Sequence, residues 1–116
     1  MGIAGHRGRA AETLAAAYLE LAGLEIMERN TKVGGVEIDL LARERGVHVV
    51  VEVKFRSRSD YGGALCAIDD SKRRRLLRAA SVLVSRQPRD VRIDVVSVEL
   101  SPEGAEIRHL RSAVSA

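Results

Sequence analysis

The sequence predicts an α/β fold, a mixed β-sheet flanked by helices in the order α-β-β-β-α-β-β. Three observations predict it: an apolar stripe at helical spacing near the start, five runs with strand character, and a second helical stripe between the third and fourth runs. The 116 residues are 46% hydrophobic, which suits one domain spanning residues 1–116. No apolar run approaches the roughly 18 residues of a membrane span, and the N-terminus has no hydrophobic secretory segment. We therefore expect a cytoplasmic protein with no membrane partner.

The first half of the chain contains one helix and the first two strands. Apolar residues recur at three- and four-residue spacing over residues 8–22, and Gly23 is a helix stop signal. Residues 24–30 have strand character, and the Gly34-Gly35 pair separates them from a second strand at residues 36–42. These patterns predict a helix followed by two strands.

A long third strand follows a polar turn. Residues 44–46 form the turn, and residues 47–56 are rich in valine on both faces, as is typical of a strand covered on both sides. The short connection predicts that the second and third strands form an antiparallel hairpin.

The second half is predicted to contain one helix and two strands. A helical turn at residues 64–68 is one interpretation of the segment before it, Asp69-Asp70-Ser71 supply N-cap candidates, and the helix runs to about residue 85 before Pro88. Strands at residues 91–100 and 105–110 flank the turn at residues 101–104. We expect residues 111–116 to be a frayed tail.

Positive charge is concentrated around the second helix. The net charge is +3, and eight of the nine charged residues from Lys72 to Arg92 are basic, a bias that favours a polyanionic partner. Few residues are aromatic, which favours contacts to a nucleic-acid backbone over stacking on bases. The lone Cys66 is interpreted as a small buried hydrophobe. The candidates for phosphate contacts, with a solvated surface as the alternative, are Arg56, Arg74, Arg75 and Arg78.

Two acids on adjacent strands form the candidate site. Side chains alternate along a strand, and tight pairing of the hairpin places Asp39 opposite position 50 to 52, near Glu52. Two neighbouring carboxylates at the end of an apolar strand repel each other and lose hydration, unless a cation compensates them. Oxygen ligands of this kind suit Mg²⁺. By itself, however, the Glu52-x-Lys54 spacing is more typical of a solvent-facing pair.

Further motifs in the chain support a functional interpretation of the Glu52-x-Lys54 spacing. With these motifs the chain resembles the YraN family of bacterial proteins, within the restriction-endonuclease-like superfamily that includes archaeal Holliday-junction resolvases. The resemblance covers nearly the whole chain and implies a restriction-endonuclease-like sheet. Its carriers are Glu12, Ala15, Tyr18-Leu19, Glu28-Arg29-Asn30, Glu37-Ile38-Asp39-Leu40, Val51-Glu52-Val53-Lys54, Arg56, Lys72 and Ile93-Asp94-Val95-Val96.

The resemblance implies roles for individual residues. Asp39 and Glu52 match the metal-ligating acids, and Lys54 matches the lysine of the PD-(D/E)XK motif, with Mg²⁺ or Mn²⁺ as cofactor. Glu12 matches an acid from the first helix, although its pattern alone also fits an exposed residue. Lys72 matches a lysine that contacts substrate. The backbone carbonyl of Val53 is a further metal-ligand candidate.

The chain departs from the family pattern at two positions. The family commonly has glycine before both Glu12 and Glu37, where this chain has Ala11 and Val36. Because a β-branched residue resists a positive φ, the approach to the second strand is expected to differ.

Three functions remain open from the sequence. The first is a metal-dependent endonuclease acting on DNA in preference to RNA, with branched or structured DNA as a candidate substrate. The second is a nucleic-acid-binding module that does not cut efficiently, and the third is an interaction subunit whose acids are structural. Related resolvases act as dimers, which leaves a homodimer open. No site is predicted at the histidines, Glu37 is interpreted as an ion-pair partner or a support for the site, and Asp94 has no assigned role.

Overall fold

The predicted order of elements is confirmed. The computed structural model describes residues 2–57, 68–87 and 89–115, with side chains from residue 8 to residue 56 in the first range. Within these ranges the elements are α1 (Gly2–Leu21), β1 (Glu25–Val33), β2 (Val36–Glu44), β3 (Val47–Ser57), α2 (Asp70–Arg86), β4 (Val91–Ser101) and β5 (Gly104–Val114).

The strands form one mixed sheet in the order β1-β2-β3-β4-β5. Neighbours are antiparallel except for β3 and β4, which are parallel because α2 carries the chain back between them. The predicted β2–β3 hairpin is confirmed, with Arg45 and Gly46 as its two turn residues, both at positive φ. Central position in the sheet and burial on both faces make β3 the strand that organises the fold.

Each face of the sheet is covered by one helix. Leu19 of α1 packs with Val49 and Val51 of β3 on one face. Leu76 of α2 packs with Val50 of β3 on the other. Consecutive valines of β3 therefore enter opposite layers, as the alternation of a strand requires.

The second helix begins and ends with satisfied backbone groups. Asp69 is the N-cap, and its carboxylate accepts a hydrogen bond from the Lys72 N–H at 2.8 Å. At the other end the N–H of Gln87 donates to the carbonyl of Leu83. The helix ends at Arg86. Residues 64–67 of the predicted helical turn at 64–68, and the interpretations of Cys66 and Pro88, lie outside the described residues.

The prediction of a frayed tail was wrong, because β5 continues to Val114. Val114 pairs with Ile93 and is 9% exposed. Two side chains hold this segment: the Asp94 carboxylate accepts a hydrogen bond from the Ser112 N–H at 2.9 Å, and Arg73 donates to the carbonyl of Ser115. Other boundaries also differ, since α1 begins at Gly2 and β1 extends to Val33.

Candidate active site

The separation of β2 from β3 positions Asp39. The two strands pair from Glu44 and Val47 as far as Leu40 and Val51. Beyond that pair, the N–H of Val53 donates to Oδ2 of Asp39 at 2.8 Å. The Asp39 carboxylate therefore takes the place of a backbone carbonyl, and it is held in the opening between two diverging strands.

Glu52 is a buried carboxylate held by two lysines. It is 3% exposed, and its Oε2 lies 3.1 Å from Nζ of Lys54 and 3.1 Å from Nζ of Lys72. Lys54 comes from the same face of β3, whereas Lys72 comes from the first turn of α2, which Asp69 caps. Burial of a single carboxylate would be costly without such partners. The structure thus brings together Glu52, Lys54 and Lys72, three of the residues predicted for the site.

Asp39 and Glu52 lie close enough to perturb each other. Burial raises the pKa of Asp39 to about 7, and the negative charge of Glu52 adds to the rise. The hydrogen bond from Val53 opposes it, and the charge of Glu12 contributes a smaller upward effect. Near neutral pH the Asp39 carboxyl therefore holds a proton part of the time, unless a nearby cation compensates its charge.

Glu12 approaches the pair from α1 without completing a metal cluster. It is partly buried, and its charge reaches Asp39. Among the residues that the structure describes, however, no three acidic, histidine or cysteine side chains have the spacing of metal ligands. Glu12 is thus an outer acid of the site.

The donor set fits a hard divalent cation. Both carboxylates supply oxygen, and Mg²⁺ is typically held by one or two carboxylates while it keeps several waters. The N–H and carbonyl of one strand residue point to the same side, so the Val53 carbonyl faces the side of β3 from which Asp39 approaches. Two carboxylates and a backbone carbonyl, with two ammonium groups beside them, are consistent with a Mg²⁺ or Mn²⁺ site.

A basic groove lies beside the acids, between the β1–β2 turn and α2. We call it the α2 groove; its volume is about 460 Å³. Three of the predicted phosphate-contacting residues line it: Lys72, Arg75 and Arg78. Its lining residues are Lys32, Gly34, Gly35, Val36, Glu37, Lys72, Arg75, Leu76 and Arg78. Lys32 was missed from the sequence, because a single lysine just beyond the predicted first strand has no distinguishing pattern.

Other predicted basic residues lie elsewhere. Arg74 is exposed and does not line the groove, and Arg56 is half-buried and donates to the carbonyl of Phe55 at 3.3 Å. Arg73 contacts the C-terminal end of the chain at Ser115. A contact of Arg56 or Arg74 with nucleic acid stays a prediction.

The departures at Ala11 and Val36 leave the site intact. Ala11 is buried in the α1 layer, and Val36 is the buried first residue of β2. The positive φ values fall on Gly34 (59°) and Gly35 (78°) instead. The displaced glycines therefore form the turn that leads into β2.

Asp94 is the centre of a polar network that the sequence did not reveal. Its buried carboxylate contacts Nε2 of His109 at 2.7 Å, Nε of Arg92 at 3.0 Å and the N–H of Ser112. The His109 ring meets Tyr18 of α1 edge to face, with ring centroids 5.9 Å apart. A buried aspartate in an apolar strand requires such partners, and that requirement was the available signal.

Arg92 extends this network to the surface. Its guanidinium also pairs with Glu44 at 2.8 Å, and Glu44 pairs with Arg111 at 2.7 Å. Hydrogen bonds from Arg111 and Arg92 lower the pKa of Glu44 to about 2. The network joins β2, β4 and β5 and serves to hold the sheet together.

His48 remains without a hydrogen-bonding partner at one nitrogen. It is 6% exposed, and within the described residues its Nδ1 has no partner. It precedes Glu52 by four residues along β3 and contributes nothing to the acidic pair.

Comparison with known proteins identifies the family. Residues 11–98 match Uncharacterised protein family UPF0102. The chain belongs to the UPF0102 family. UPF0102 is the YraN family that the sequence motifs resemble, so that expectation is confirmed.

Individual UPF0102 relatives match over most of their length. The chain is 45% identical over 107 residues to a UPF0102 protein of Halorhodospira halophila, covering 92% of this chain and 85% of the relative. It is 43% identical over 111 residues to one of Dechloromonas aromatica, covering 95% and 89%. A relative from Symbiobacterium thermophilum is 43% identical over 100 residues, covering 84% and 85%.

One solved structure has a weaker likeness to this UPF0102 chain. It is described as the structure of Pyrococcus furiosus SfsA in complex with Ca²⁺, and it is 17% identical with a TM-score of 0.39. The match covers 97% of this chain and 65% of that one, so this chain spans just under two thirds of that protein's length. A similarity of this extent has no bearing on function.

In the part of the chain that the structure describes, neither helix is long and apolar enough to cross a membrane.

Proposed function

We propose that this chain is a metal-dependent nuclease that hydrolyses phosphodiester bonds, in DNA in preference to RNA. The observation that carries the proposal is the meeting of the Asp39 carboxylate with the buried Glu52 carboxylate where β2 and β3 diverge. The Lys54 ammonium lies 3.1 Å from Glu52. This arrangement can hold a divalent cation and present a positive charge beside it.

The acids would hold the metal, and the lysine would act beside it. Mg²⁺ or Mn²⁺, when bound, would polarise the scissile phosphate and lower the pKa of a bound water. Asp39 and Glu52 would be its side-chain ligands, with the Val53 carbonyl as a backbone ligand. All three groups would bind the metal through oxygen atoms. The Val53 N–H orients the Asp39 carboxylate through a 2.8 Å hydrogen bond.

Lys54 would contribute charge and hydrogen-bond donors. Its side chain is 19% exposed, so the ammonium can reach a bound substrate while it stays in contact with Glu52. From that position it would orient the attacking water or balance negative charge on the phosphate oxygens. Glu12, whose charge reaches Asp39, would help to orient the waters around the pair.

The substrate is proposed from charge and from the motifs. The groove beside the acids is basic, and the motifs are similar to those of archaeal Holliday-junction resolvases. Branched DNA is therefore the first substrate to test, and a homodimer is the assembly that such a reaction would favour.

Cleavage assays on matched variants test the proposal. Purified protein is incubated with plasmid and four-way-junction DNA, and with single-stranded RNA, in Mg²⁺, Mn²⁺ or EDTA. We expect cleavage of DNA with metal and none in EDTA. Asp39→Asn and Glu52→Gln should reduce cleavage to background, and Lys54→Gln should reduce it by about 10²–10³-fold, as when one electrostatic donor is removed.

Controls on the same elements separate the site from general effects of charge. Glu12→Gln is compared with Glu20→Gln, because both lie on α1 and Glu20 is exposed. The first should lower the rate and the second should not. Cleavage that survives both Asp39→Asn and Glu52→Gln would remove the proposed site.

A nucleic-acid-binding module without cleavage is the second candidate. It is favoured by the two lysines that already neutralise Glu52, and by the absence of a third metal-ligating side chain among the described residues. Binding of DNA without cleavage in any metal would support it. If neither DNA nor RNA binds at low salt, where phosphate contacts are strongest, the acids are structural and an interaction subunit is the better description.

A further inference from the structure

The α2 groove is continuous with the acidic pair. Lys72 lines the groove and also contacts Glu52. Lys32 and Glu37 line both the groove and a smaller hollow of about 190 Å³ that Asp39 also borders. A ligand in the groove therefore lies directly beside the two carboxylates.

Among the described residues, three of the four basic side chains of the groove have no ion-pair partner. Four basic side chains and one acid, Glu37, line it. Of the basic ones, Lys72 pairs with Glu52, while no carboxylate among the described residues forms an ion pair with Lys32, Arg75 or Arg78. Like charges held together in a concave surface focus a positive potential, which attracts an anion.

The β1–β2 turn bounds the groove at one end. Gly34 packs so closely on α2 that a Cβ there would lie 2.6 Å from Cγ2 of Val82. Both turn glycines have positive φ, and successive backbone N–H groups of such turns form concavities that bind anions. Gly35 also lines the groove. The backbone of this turn therefore borders the groove together with the basic side chains.

The groove has the size of a site for one nucleotide. A volume of about 460 Å³ falls among sites that hold one small ligand, of the order of 300–1,000 Å³, so the groove is sized for part of one strand and not for the full width of a duplex. No aromatic side chain lines it within the described residues. Recognition there is consequently directed at phosphates and not at bases.

We propose that the α2 groove binds the phosphate backbone of a single nucleic-acid strand next to the bond that is cut, with Lys32, Arg75 and Arg78 as its phosphate contacts. This inference rests on the proposed function, which sets the class of ligand. It adds Lys32 to the site, and it assigns the strand beside the acids a single-stranded conformation.

Equilibrium binding in EDTA tests the groove without any cleavage. Fluorescence anisotropy is measured for a labelled single-stranded DNA of about 12 nucleotides, within the site sizes of single-strand-binding proteins. The salt concentration is varied between about 50 and 200 mM. We expect Lys32→Gln and Arg78→Gln each to weaken binding several-fold and to reduce the slope of log K against log salt by about 0.7, the loss of one phosphate contact to a single strand.

Arg86→Gln is the matched control, because Arg86 lies on the same helix as Arg78 and is exposed outside the groove. This variant removes one positive charge, as Lys32→Gln and Arg78→Gln do. It should change the affinity and the slope of log K against log salt much less than they do. Equal losses for Arg86→Gln and Lys32→Gln would overturn the groove. Lys32 is exposed on β1, so the variant is expected to fold, and its circular dichroism and melting temperature confirm that.

A blunt duplex of the same length completes the test. We expect it to bind more weakly and to be less sensitive to Lys32→Gln. A duplex that binds as tightly and loses as much would overturn the single-strand assignment. Cleavage that depends on Asp39 but not on Lys32 or Arg78 would refute the groove and leave the proposed function standing. Binding that depends on the groove, without any cleavage, would refute the proposed function and leave the groove standing.

Discussion

Two opposing effects act on the pKa of the Asp39 carboxyl. The Val53 N–H stabilises its ionised form, whereas burial and the charges of Glu52 and Glu12 disfavour that form, and the net effect raises its pKa to about 7. The pKa of an unfolded aspartate is 3.8. Between pH 3.8 and about 7 the folded protein therefore keeps a proton that the unfolded chain has already lost. Stability of the metal-free protein therefore falls as the pH rises through that window.

Asp39→Asn should remove the loss of stability that the wild type shows as the pH rises. The amide is neutral at every pH, and its oxygen can still accept the hydrogen bond from Val53. In EDTA we expect the variant to melt a few degrees above the wild type at pH 8 and by a clearly smaller margin at pH 5, where most of the pH-dependent loss has yet to occur. Differential scanning calorimetry at both pH values measures this. Asp90→Asn, an exposed aspartate before β4, is the control, and an advantage equal at both pH values would contradict the coupling.

At the scale of elements, two turns and a terminal strand set the geometry around the site. The β1–β2 turn brings Lys32 and Gly35 to α2, and the β2–β3 turn sets the register that leads to Asp39 and Glu52. On the other side of the sheet, the Asp94 network holds β5 against β4. Each connection depends on a particular backbone conformation or a buried polar contact.

Alanine substitutions of the two turn glycines distinguish the cost of backbone strain from the cost of lost packing space. Gly34 (φ 59°) has no room for a Cβ beside Val82, whereas Gly35 (φ 78°) has nothing within 4 Å. Gly35→Ala should lower the free energy of unfolding by about 1–2 kcal/mol, the cost of a left-handed residue. Gly34→Ala should lower it further, because α2 or the turn must also move.

Urea denaturation of both glycine variants measures the difference. Equal losses for the two would show that the turn does not pack against α2 as closely as the structure has it. A larger loss for Gly34→Ala should be accompanied by weaker single-strand binding, because the same displacement alters the α2 groove.

For the whole molecule, the helices on opposite faces of the sheet both contribute to one site. Glu12 comes from α1, Lys72 from α2, and Asp39 and Glu52 from the sheet between them. Such a site forms only when all three layers are assembled. A ligand of the site must then stabilise the complete fold and not one element.

Divalent metal should raise the melting temperature. At a concentration about 100 times its Kd a ligand stabilises the native state by about 2.7 kcal/mol, which corresponds to roughly 4 °C or more per kcal/mol in a domain of this size. We expect millimolar Mn²⁺ or Mg²⁺ to raise the melting temperature of the wild type above that in NaCl of equal ionic strength. Glu52→Gln should lose most of the rise. The same rise in both proteins would place the metal elsewhere.

The order of elements and the acidic pair were both predictable, because they depend on local patterns. Valines at consecutive positions of β3 indicated a doubly covered strand, and a short polar turn indicated the hairpin that brings Asp39 towards Glu52. The C-terminal end was not predictable, since Val114 and Ser112 are ordered by contacts with Ile93 and Asp94, about twenty positions earlier in the chain.

The sequence by itself determined the class of fold and the family, and it selected Asp39, Glu52 and Lys54 as the candidate site, because alternation, turn chemistry and motif residues are local properties. Only the tertiary structure decided which basic residues share a surface with those acids. Lys32, Lys72, Arg75 and Arg78 come from β1 and α2, and they meet because the β1–β2 turn packs against the helix. Arg74, adjacent to Arg75 in sequence, faces away, since neighbouring residues on a helix point in different directions.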